Sequence, residues 1–117
     1  MRHELLKHWV DISNAVKEVS VFINGRSFED YKSDRMLQVA IERELEIVGE
    51  ALHRMEDIDK SALGKVLPEY RKIIGLRNVL AHGYDTIDHE IIWDLVKNKV
   101  PELDKIIFHQ IQIGKTK

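Results

Sequence analysis

Hydrophobic positions recur along this chain with a helical period almost from its start. Leu5, Trp9, Ile12, Val16, Val19 and Ile23 follow the spacing i, i+4, i+7, i+11, i+14, i+18, which draws one apolar stripe down a first helix. Asn24-Gly25 ends it, glycine supplying the left-handed exit common at helix C-termini. A short polar stretch holding Phe28 and Tyr31 follows as a linker, and Ser33 or Asp34 can cap a second long helix running to about Met55 or Asp57. Its stripe is Leu37, Ile41, Val48, Ala51 or Leu52, and Met55, with Glu44 falling inside it where a small residue is expected. Residues 57–64 read as a connector with one helical turn. Pro68 suits the first turn of a third helix, Glu69 to about His82, because proline lacks only an N–H that would be unpaired there, and Gly83 closes that helix. Two shorter helices follow, one from about Asp88 to Lys97 and one after Pro101 to about Ile113. No segment alternates with period two for long enough to be a strand, so the expected fold class is all-α with antiparallel neighbours joined by short connections.

Length and composition narrow the class. The 117 residues, 44% hydrophobic and 32% charged, fit one globular domain over 1–117 and leave no apolar run long enough for a membrane span. Zero cysteines exclude disulfides and thiolate metal sites. The opening Met1-Arg2-His3-Glu4 runs directly into the amphipathic pattern without a secretory segment, which makes the cytoplasm the expected compartment. A net charge of -2 removes any global attraction to nucleic acid, so contact with RNA would need a local patch.

Candidate chemistry is sparse until the third helix. The six histidines show no i, i+4 pair and no HExxH, so no metal or other cofactor is expected. Gly-x-Ser-x-Gly and phosphate-cradling glycine loops are absent. In the third helix, Ile73, Leu76 and Leu80 form the core face with Val79 on its flank, while Arg71, Gly75, Asn78 and His82 run down nearly the opposite side, with Arg77 between. A solvated face is normally filled with Lys, Glu and Gln, and glycine there costs about 1 kcal/mol of helix stability, so something is allowed to approach closely. Asn78 and His82, at i, i+4, can hydrogen-bond and fix the imidazole. His82 also lies in the last turn, where the negative end of the helix dipole favours the imidazolium. A cap with a cation near the dipole is an equally good account of the same spacing.

Arg77-Asn78-Val79-Leu80-Ala81-His82-Gly83-Tyr84 resembles the R-x4-H-x-Y signature of HEPN-domain proteins, in particular the HepT-type toxins encoded beside a minimal nucleotidyltransferase antitoxin. The segment Arg43-Glu44-Leu45-Glu46-Ile47-Val48-Gly49-Glu50-Ala51 is similar to that family's R-x-L-E-x-x-G-E-A element, and Ile91-Ile92-Trp93 to its apolar-Trp element. The resemblance implies an up-and-down, HEPN-like bundle of four to five helices that forms a homodimer through the motif helix. It also implies a metal-independent endoribonuclease, with Arg77 and His82 catalytic, Asn78 orienting the histidine, and an RNA substrate. Two-fold pairing along the Gly75 strip would bring two histidines and two arginines to one phosphodiester.

Arg43, Glu46 and Glu50, at i, i+3, i+7, form one polar flank of the second helix. They make an exposed ion-pair ladder or, if that flank faces the motif helix, a support for Arg77. Tyr84 reads either as a capping aromatic or, by the resemblance, as the hydroxyl to which the partner nucleotidyltransferase transfers AMP. Trp9, Trp93 and Phe108 are expected in the core or at an interface. The competing reading is a non-catalytic interaction bundle that binds a nucleotidyltransferase. The net charge leans that way, with Lys65, Arg71, Lys72 and Arg77 the sole basic track.

Overall fold

A computed structural model describes the backbone of residues 3–82 and 88–115 and the side chains of 4–76 and 88–114. Among these residues every regular element is helical, as the periodicity predicts: α1 (His3–Ile23), α2 (Phe28–Ser33), α3 (Arg35–Val66), α4 (Tyr70–His82), α5 (His89–Asp94), a π-helical turn (Leu95–Lys99) and α6 (Val100–Lys115). The α1 stripe is buried as expected, with Trp9, Ile12, Val16 and Val19 at 1% exposure or less. Gly25 ends the helix in the left-handed region at φ 74°.

The segment expected to be a linker is instead a helix. Ser27 accepts from the Asp30 N–H at 3.1 Å while the Asp30 carboxylate accepts from the Ser27 N–H at 2.9 Å, a reciprocal capping box that starts α2. Asp34 then caps α3, accepting from the Leu37 N–H at 3.0 Å. The first stretch of α3 ends about where expected, just past Asp57. A kink at Asp59 (φ -158°, ψ 84°) follows, where the Asp59 carboxylate accepts from the Ala62 N–H at 3.1 Å and starts the last stretch of α3.

The two short C-terminal helices are one continuous rod. Pro101 was expected to begin a new helix; its missing N–H is instead accommodated just after the π turn, in which the Val100 N–H reaches back to the Leu95 carbonyl. The turn lies within one continuous buried face. Ile92, Val96, Val100, Leu103, Ile107 and Ile111 are all buried, so the core face spans 19 residues in five turns, where an α-helix supplies about 18. The π turn takes up the extra residue.

Neighbouring long helices are antiparallel. Glu18 meets Glu44 and Lys7 shares a cleft with Arg54 across α1 and α3, Glu56 meets Tyr70 and Arg71 across α3 and α4, and Leu5 shares a cleft with Ile113 across α1 and α6. The core runs along the seam of α1, α3 and α6, with Tyr31 from α2 and Ile92 from α5 closing one end. This is the expected all-α bundle. No helix among the described residues is long and apolar enough to cross a membrane.

Candidate functional site

The motif helix α4 is fixed at its start. The buried Tyr70 hydroxyl donates to the Glu56 carboxylate at 2.5 Å, and Arg71 pairs with the same carboxylate at 3.0 Å. The Tyr70 hydrogen bond, followed by the Arg71 charge, holds the Glu56 carboxyl below its usual range. Arg71 therefore anchors a helix, and Lys72 is paired with Glu69 at 3.3 Å, so two members of the expected basic track are already engaged. Lys65 is exposed.

Along α4, Ile73, Ile74 and Leu76 are partly buried against the core, and Gly75 faces outward. A Cβ placed on Gly75 would meet none of the described residues within 4 Å. Among the described residues, then, no packing contact requires a glycine there. The helix backbone continues through His82, so Arg77, Asn78 and His82 sit on its last turns. The side chains of Arg77, Asn78, Val79, Leu80 and His82, and all of Tyr84, lie outside the described residues.

The flank of Arg43, Glu46 and Glu50 lines a cleft of about 380 Å³ between α3 and α1, together with Lys7, His8, Asp11, Asn14, Glu18 and Arg54. Arg43 pairs with Glu46 at 3.6 Å and Arg54 with Glu50 at 3.2 Å, both within the helix. At the bottom is Glu44, 7% exposed, its carboxyl pushed up to about 7 by burial and by the neighbouring Glu18 carboxylate. The sequence expectation of a small residue in the stripe is met by a protonatable one, tolerated because it shares a hydrogen bond with Glu18.

A second polar cluster, which sequence reasoning missed, lies where α2 and α5 meet the first turns of α3. The fully buried Tyr31 shares a hydrogen bond of 3.1 Å between its hydroxyl and His89 Nδ1, and burial pushes the Tyr31 pKa up so that the phenol stays protonated. Glu42, 6% exposed, has an Oε2 with no hydrogen-bond partner and only a 3.7 Å ion pair to Arg35. Burial raises its pKa, while Arg35 and then His89 oppose the shift. The available signal was Ser27-x-x-Asp30, which marks a helix start and so gives Tyr31 a fixed direction. Among the described residues no three His, Asp or Glu side chains gather where they could hold a metal ion.

A family model described as "Ribonuclease HepT-like" matches residues 12–109. The chain belongs to the HepT-like ribonuclease family. It is 35% identical over 101 residues to "Putative RNase MJ0127" of Methanocaldococcus jannaschii, covering 83% of this chain and 82% of that protein. It is also 33% identical over 93 residues to "Probable ribonuclease HepT" of Thermococcus cleftensis, covering 80% and 83% of the two chains. A relative from Caldanaerobacter subterraneus, "Putative RNase TTE0752", is 34% identical over 90 residues, covering 77% and 79%. No solved structure matches the chain. Membership of the HepT-like family and these relatives support a ribonuclease function.

Proposed function

We propose that this HepT-like protein is an endoribonuclease toxin that cleaves RNA without a metal ion, at a composite site made when two copies pair along α4. Its partner is a cognate minimal nucleotidyltransferase antitoxin, and transfer of AMP to Tyr84 silences it. The single observation that carries the pairing is Gly75: it is exposed on the motif helix, and no described residue of its own protomer comes within 4 Å of where its side chain would begin.

The chemistry divides between the two copies. One His82 takes the proton of a ribose 2′-hydroxyl, whose oxygen attacks the adjacent phosphorus. The other His82 gives a proton to the departing 5′-oxygen, leaving a 2′,3′-cyclic phosphate. Arg77 balances the charge on the pentacoordinate phosphoryl group, since a guanidinium stays charged and matches two phosphate oxygens at once. Asn78 orients the imidazole. AMP on Tyr84 places a negative phosphate and a purine where substrate phosphate must sit.

Purified protein incubated with RNA in the presence of EDTA tests the reading. Cleavage should persist, yield cyclic-phosphate ends, and fall by about 100-fold or more in His82→Ala and in Arg77→Ala. Cleavage that survives His82→Ala, or vanishes with EDTA, overturns the mechanism. Absence of any cleavage favours the second reading, a docking module for the nucleotidyltransferase, toward which the net charge of -2 leans.

A further inference from the structure

A groove of about 450 Å³ opens between α2 and the α5 end of the C-terminal rod, lined by Phe28, Glu90, Trp93, Asp94, Lys97 and Asn98. Its floor is aromatic and fixed. Trp93 is half-buried and stacks on Tyr31, with ring centroids 5.3 Å apart and planes inclined by 28°. Tyr31 is itself locked by the His89 hydrogen bond and has Phe28 at 6.5 Å. On the rim, Lys97 Nζ lies 5.7 Å from the Trp93 ring, Glu90 is exposed, and the Asp94 carboxylate accepts from the Asn98 amide at 2.6 Å. Burial of an anchor accounts for Tyr31. It does not account for an indole left facing an open polar groove.

We infer that this groove is a nucleobase subsite, which stacks one base of single-stranded RNA on Trp93 and favours bases that carry an amino group. The subsite rests on the ribonuclease reading above. Base stacking needs a flat apolar surface that does not have to be ordered on binding, and Trp93 backed by Tyr31 is such a surface. Lys97 is no obstacle: a lysine over an exposed ring is weakly held on a flexible stem, so a base can take its place while the ammonium turns to the adjoining phosphate. Glu90 and Asp94 only accept hydrogen bonds when ionised. They suit the amino groups of adenine, cytosine and guanine, which uracil lacks, and they repel phosphate, which sets the base inward and the backbone toward Lys97. The location fits a substrate strand. Trp93 stands about 6 Å along α5 from His89, and α5 follows the 83–87 segment that leaves the motif helix.

Short single-stranded deoxyoligonucleotides of adenine, cytosine or uracil, which lack the 2′-hydroxyl and so are not cleaved by this route, are the probes. Tryptophan fluorescence should be quenched saturably, because Trp93 is the accessible indole and Trp9 is 1% exposed. Adenine and cytosine oligomers should bind about 10-fold more tightly than uracil, and Trp93→Leu should weaken adenine binding by about 10-fold while Trp93→Phe restores most of it. With cleavable RNA, Trp93→Leu should raise KM by a similar factor and leave kcat unchanged. Glu90→Gln, at an exposed position that cannot disturb the core, should reduce the preference for adenine over uracil, because its amide also donates to a uracil carbonyl, and serves even if Trp93→Leu fails to fold. Unaltered oligonucleotide binding by folded Trp93→Leu, in a protein that still cleaves RNA, overturns the subsite and leaves the ribonuclease. Equal affinity for uracil overturns the selectivity. Binding that depends on Trp93 in a protein that cleaves no RNA keeps the subsite and overturns the ribonuclease. A groove that binds none of the oligomers, and that is protected when the nucleotidyltransferase is added, is a protein-docking surface instead.

Discussion

Glu44 shows what one misplaced carboxyl does to a small bundle. Its pKa is raised from 4.5 to about 7, so the native chain keeps a proton that the unfolded chain releases. Stability is therefore fullest below about pH 4.5 and is lost as pH rises toward and through 7. Glu42 shifts in the same direction and Glu56 and Asp30 in the opposite one, while Glu44 is the carboxyl pushed up to about 7, into the range between about pH 5 and about pH 8. Urea denaturation should give a stability lower by on the order of 1–2 kcal/mol at about pH 8 than at about pH 5, and Glu44→Gln should remove most of that difference. An unchanged slope in Glu44→Gln would assign the pH dependence to other groups. The misfit at Glu44 was legible because the stripe of α3 is regular on either side of it. Its partner was not: Glu18 meets Glu44 only through the register of α1 against α3, which no spacing within either helix contains.

Elements were legible where the apolar stripe was long and misread where the local signal was short. The extents of α1 and α4 follow from Leu5 to Ile23 and from Pro68 to His82. The six residues of α2 are too few for a stripe, and only the Ser27 capping box betrays them. Pro101 was misleading for a different reason. A proline ordinarily interrupts an α-helix, but here the buried spacing from Ile92 to Ile111 already calls for one more residue than five α-turns hold, so the interruption and the surplus residue cancel in one π turn. Asp59 does comparable work at the kink of α3. Asp59→Ala should lower unfolding free energy by about 1 kcal/mol through loss of the Ala62 cap, and Asp59→Asn should retain most of it, as measured by chemical denaturation. Equal losses in both variants would point to the charge and not the cap.

At the scale of the whole molecule, the candidate site was legible as a motif and as a face but not as a geometry. Gly75 stands out because nearly every other residue is more favourable at an exposed helical position, and the structure adds that no described residue of its own protomer occupies the space above it. Gly75→Leu should thus leave protomer stability unchanged or slightly raised while converting a dimer to monomer in sedimentation, with RNA cleavage falling in parallel. A variant that remains dimeric would move the interface elsewhere. What the sequence could not supply is the closing of one end of the bundle by Tyr31 and His89, a contact between residues 58 apart in the chain. The antiparallel seam of α1 and α6 has a topological consequence as well. Leu5 and Ile113 line the same cleft, so the described path of the chain returns almost to where it began. A covalent link between the first turns of α1 and the last turns of α6 would therefore span little distance yet close a loop of nearly all the described residues, and it should stabilise the bundle by restricting the unfolded chain.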